Sequence, residues 1–110
     1  MSEAKKENQE NEAANDQVYV ISRPFEFEGN KYEKLNLAFE KLTGNDLLSC
    51  ENELNATVPD GTFIPMKEID KRYLALVVAK AAGVPSELIR KLPAKDFSKV
   101  TVRAQNFLLI

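Results

Sequence analysis

The stretch RPFEFEGNKYEKLNLAFEKLTGNDLL, residues 23–48, decides the fold. Phe25 and Phe27 alternate with Glu26 and Glu28, the pattern of a strand with one face buried. Gly29-Asn30 reads as a tight turn, because both residue types tolerate positive φ. The following run carries Tyr32, Leu35 and Leu37, so a β-hairpin is expected across residues 25–37. Its alternation breaks at Glu33-Lys34, which predicts a bulge or a short second strand. Thr43 and Asp46 then stand three residues apart, a short capping box opening a helix.

Upstream, VYVIS (residues 18–22) is β-branched and aromatic and favours a strand that either begins the sheet or pairs separately, with Pro24 limiting its continuation. Residues 1–17 contain no large apolar side chain after Met1, so they read as a disordered acidic tail. The single folded domain is expected to be residues 18–110.

Downstream of Thr43, Leu47, Leu48 and Leu54 give a helix with a narrow apolar stripe that ends near Ala56. Val58-Pro59-Asp60-Gly61 marks a loop. A second helix is expected to start between Pro65 and Lys67 and to end at Ala82, where Gly83 supplies the stop. It is apolar nearly all round, and such a helix is either central to a core or covered by a partner. Residues 86–92 read as one or two helical turns. Phe97, Val100, Ala104, Phe107 and Leu108 recur at helical spacing over residues 94–109, although Val100-Thr101-Val102 also admits a strand. The expected class is α+β: an N-terminal β-hairpin or small antiparallel sheet packed on about three main helices plus a short helical turn.

The 110 residues include 44% hydrophobic and 29% charged side chains, with a formal net charge of -2. That balance argues for neither a general nucleic-acid binder nor a membrane-surface protein. The charge is polarised. Residues 24–60 hold eight acids and three bases, whereas residues 61–110 hold four acids and nine bases. The halves either cancel by packing together or favour head-to-tail self-association. The sequence shows no signal-peptide pattern and no run of transmembrane length, so a cytoplasmic protein is expected.

Catalytic chemistry finds little to work with. The chain has no histidine, which excludes His-dependent triads and Cys/His metal sites. Cys50 is the one cysteine and excludes an internal disulfide. Glu51 and Glu53 do not share a helix face. Gly44 lacks the further glycines of a phosphate-binding loop. No catalytic, cofactor or metal residue is therefore assigned, and no cofactor is expected. The functional clue is surplus apolar surface, with Leu74, Val77, Val78, Phe107, Leu108 and Ile110 as the candidate protein-binding surface. The competing reading is that the hairpin and the last helix cover both sides of the second helix.

Over residues 18–110 the sequence resembles the small tail assembly chaperones of contractile-tailed bacteriophages and prophages. The resemblance rests on Phe27, Gly29, Tyr32, Leu35, Leu37 and Leu42-Thr43-Gly44-x-Asp46-Leu47. Downstream it rests on Tyr73, Ala79, Ala82-Gly83, Leu88, Leu92, Asp96-Phe97, Val100 and Phe107. It implies a non-enzymatic protein of the host bacterial cytoplasm. Such a protein transiently binds the tape-measure protein, assists assembly of tail-tube subunits and is absent from the mature virion. In this family a longer frameshifted product is common. Two alternatives stand beside it: a structural tail or baseplate component retained in the virion, and a nucleic-acid-binding regulator using the basic C-terminal half.

Overall fold

The computed structural model describes residues 17–110. The tail expected over residues 1–17 lies outside the described residues except for Gln17, whose carbonyl accepts a hydrogen bond from the Leu37 N–H at 2.6 Å. An antiparallel hairpin of β1 (Val18–Phe27) and β2 (Asn30–Asn36) comes first. A 3-10 turn at Phe39–Lys41 leads to α1 (Gly44–Thr57). A second 3-10 turn at Lys67–Ile69 precedes α2 (Lys71–Ala82), α3 (Ser86–Arg90) and α4 (Ala94–Leu109). The expected hairpin on three main helices and a short helical turn is the observed architecture.

The hairpin differs from expectation in two details. Phe27 pairs with Asn30, so the turn residues are Glu28 and Gly29 rather than Gly29 and Asn30. Both adopt positive φ, 50° and 81°, as a type I′ turn requires. Side chains alternate faces along a strand, so this one-residue shift decides which side chains meet. It places Phe25 opposite Tyr32, with ring centroids 5.9 Å apart. The expected break in alternation is present, but the extra residues lie on the other strand. Val20 pairs with Lys34 and Phe25 with Tyr32, so residues 21–24 of β1 face Glu33 alone. This bulge accommodates Pro24, which cannot donate to a strand ladder. Residues 18–22 are thereby part of β1 rather than a separate strand.

Helix boundaries follow local chemistry. At α1 the Asp46 N–H donates to Thr43 Oγ1 at 3.4 Å and the Thr43 N–H donates to Asp46 Oδ2 at 2.9 Å, completing the capping box. α2 begins later than expected because Asp70 is its cap. The Asp70 Oδ1 accepts from the Arg72 N–H at 2.9 Å, and the Arg72 guanidinium reaches back to the same carboxylate. Those hydrogen bonds hold the Asp70 carboxyl below its ordinary value. Gly83 ends α2 in the left-handed conformation, φ 67°. α4 spans the expected residues, so the helical periodicity prevails over the β-branched run at 100–102.

α2 is the axis of the core. Residues 73–79 are all buried. α1, α3, α4 and β2 all pack against it. Burying a Val or Leu side chain stabilises a fold by roughly 1.5–3 kcal/mol, so this one helix organises much of the hydrophobic free energy. Cys50 lies under the same core, and burial pushes its thiol up to about 11, which leaves it protonated at neutral pH.

Candidate interaction surface

The outer surface is set by how α4 is anchored. Asp96 sits in its first turn and is fully buried. Its Oδ1 accepts from the Tyr19 hydroxyl at 2.6 Å and from the Ser22 N–H at 2.9 Å, and its Oδ2 accepts from the Ser22 hydroxyl at 2.8 Å. Ser22 reaches the carboxylate from within the bulge of β1, so the bulge has a structural use. Burial alone would raise the Asp96 carboxyl, but the hydrogen bonds from Tyr19 and Ser22 hold it below its ordinary value. Burial and the bond to Asp96 push Tyr19 up to about 12. These three hydrogen bonds leave no buried side-chain polar atom of the clamp without a partner. Its chemistry is that of a structural tie.

With α4 held this way, its inner face packs Val100, Thr101 and Ala104 into the interior. Arg103 lies over the Tyr19 ring, 5.1 Å from its centroid. Farther along, Phe107 stacks on Phe39 with centroids 5.4 Å apart.

The six residues expected to form a binding surface divide into two groups. Leu74, Val77 and Val78 are buried, at 1%, 0% and 0% exposure, and present nothing to a partner in this fold. The hairpin and the neighbouring helices surround α2, so its all-round apolarity marks the centre of the core. Phe107, Leu108 and Ile110 lie together at the end of α4. Leu108 is half-buried against the core, Phe107 is partly exposed beside Phe39, and Ile110 is almost wholly exposed.

Other apolar side chains reach solvent where the sequence reading did not place them. Phe63, 83% exposed, stands in the loop between Pro59 and Pro65, beside a recess of about 390 Å³. Met66 and Ile69 follow it, and the 3-10 turn at Lys67–Ile69 packs beside α4. Val102 and Leu109 are exposed on the outer side of α4 itself. The signal for Phe63 was present: an aromatic residue in a Pro- and Gly-bounded loop outside any periodic run. No cluster of three or more His, Cys, Asp or Glu suited to a metal ion occurs among the described residues. Nor is any helix among them long and apolar enough to cross a membrane.

A fold whose buried polar groups are used to hold it together, and whose outside offers apolar side chains beside lysines, is that of a protein-binding module. Residues 18–109 match the family model described as phage tail assembly chaperone proteins, E, or 41 or 14. The chain belongs to this family, as a non-enzymatic chaperone of phage or prophage tail assembly acting through protein–protein contacts. No curated protein and no solved structure gives a significant match.

Proposed function

We propose that the chain binds the tape-measure protein transiently in the host bacterial cytoplasm and yields it to tail-tube subunits, remaining absent from the mature virion. Family membership carries this reading, and exposed apolar side chains at the end of α4 support it. A long apolar helical client needs modest contacts that can be released, and a few half-exposed side chains on a charged surface suit that need better than a deep pocket. Phe107, Leu108 and Ile110 are the contact residues in this reading.

Co-expression with the tape-measure protein tests it. Ile110→Asp changes a side chain that is 98% exposed, so folding is expected to be intact while co-purification falls. Unchanged recovery of the client with Ile110→Asp and Phe107→Ser would remove the surface assignment. Abundant chain in purified particles by mass spectrometry would instead favour a structural tail component.

A further inference from the structure

The charge around the start of α4 is one-sided. Between residues 88 and 110 the chain has five bases, Arg90, Lys91, Lys95, Lys99 and Arg103, and one acid, Asp96. That acid is fully buried, and both of its oxygens are taken by Tyr19 and Ser22. α4 and the turn before it therefore present bases and no exposed carboxylate. Glu87 on α3 is the nearest other acid in sequence, but the one ion pair among the described residues is Arg72 with Asp70. Arg90 and Lys95 are exposed.

This basic surface has a hollow in it. Arg90, Leu92, Ala94 and Phe97 line a recess of about 340 Å³ where α3 meets α4. Three of these four side chains are apolar, and the fourth is a guanidinium. An apolar side chain placed in the recess would take its lining out of water. A carboxylate beside it would meet Arg90, whose planar fork suits that group. Residues three or four apart share one face of a helix, so a single helical segment can supply both. Nucleic acid fits less well. Its phosphates need no apolar recess, and its bases seek open aromatic faces. Here Lys91 lies over the Phe27 ring, Arg103 lies over the Tyr19 ring, and Phe97 is half-buried against the core.

We propose that this recess and its basic rim are a docking site for an acidic amphipathic helix of a partner protein. The helix sets an apolar side chain against Leu92 and Phe97 and a carboxylate against Arg90 and Lys95. The site lies at the opposite end of α4 from Phe107, Leu108 and Ile110, so it goes beyond the function proposed above and stands or falls separately from it.

The test titrates the isotope-labelled full-length chain with three designed peptides of about 20 residues, long enough for a helix to form. All carry leucines at helical spacing, and their remaining positions are rich in Glu, Gln or Lys. The Glu peptide should shift the amides of Arg90, Leu92, Ala94 and Phe97. Raising salt from about 0.01 M to about 1 M shortens the screening length from roughly 30 Å to roughly 3 Å and should remove most of its advantage over the Gln peptide. Arg90→Glu, a change at an exposed side chain, should weaken the Glu peptide roughly fivefold or more and improve binding of the Lys peptide. Lys41→Glu, the same charge change beside the far end of α4, should leave both nearly unchanged. Equal binding of the three peptides would overturn the proposal, as would shifts centred on Phe107 to Ile110. Tighter binding of duplex or single-stranded DNA at the same amides would make the site one for phosphates. Shifts there on concentrating the protein alone would make the occupant a second copy. Either result would also overturn the proposal.

Discussion

α2 and α4 teach opposite lessons about an apolar helix. α2 is apolar nearly all round and is closed off from solvent along residues 73–79. α4 keeps one face for the core and turns the rest outward, including Val102 and Leu109. Residues 73–79 of the more apolar helix have no free surface because β2, three helices and both 3-10 turns pack around it. The less apolar helix offers contacts because nothing among the described residues covers its outer side. Availability to a partner depends on what the neighbours leave uncovered.

The sharpest way to break this contrast is to truncate the centre. Leu74→Ala should cost about 2–5 kcal/mol of unfolding free energy, the usual range for a buried leucine that leaves a cavity. Urea denaturation measures it, and a loss below about 1 kcal/mol would mean that α2 is less enclosed than described. Asp96→Ala should cost about 1–3 kcal/mol, because the Tyr19 hydroxyl and the Ser22 donors lose their acceptor. The neutral variant Asp96→Asn separates charge from shape. A carboxyl held below its ordinary value stabilises the fold above the unfolded pKa of about 3.9. That contribution is lost as pH falls through the folded value. The stability gap between the native protein and Asp96→Asn should be constant above about pH 5 and narrow below about pH 4. A gap that persists in strong acid would assign the clamp to geometry alone.

Asp70→Ala removes the cap of α2 and should cost about 1 kcal/mol, less than any truncation in the middle of the same helix. Val102→Ala comes last, with a change within about 0.5 kcal/mol despite its place on a regular helix. Thermal unfolding of the four alanine variants side by side should reproduce this order. An inversion of Leu74 and Val102 would overturn the division between inner and outer helix.

The sequence carried most of the scaffold. The capping box at Thr43 and Asp46, the stop at Gly83 and the bounds of α4 rest on local chemistry and were readable. The turn was misplaced by one residue because Asn30 tolerates positive φ better than most non-glycine residues, whereas the actual occupant, Glu28, is an uncommon choice. Its placement follows from the register of Phe25 against Tyr32, which is a pairing between strands. The start of α2 was read too early because the Asp70 carboxylate caps the backbone, while the residues before it form only a 3-10 turn. The Asp96 clamp was invisible for a stronger reason: it joins residues far apart in the chain. The candidate surface divided on the same ground. Ile110 stands just past the end of α4 and is exposed, but burial at Leu74 and Val77 depends on which elements arrive to cover them.

The clamp also has a consequence for synthesis. Tyr19 and Asp96 are 77 residues apart. A hairpin forms in roughly 1–10 μs, but translation adds only about 5–20 residues per second. The first strand pair therefore leaves the ribosome several seconds before its buried partners exist. During that interval Tyr19, Ile21, Phe27 and Leu35 face water on a two-stranded sheet, which is marginal alone. Each newly made copy thus begins with a sheet face open to misassociation, and α4, which carries Asp96, closes it.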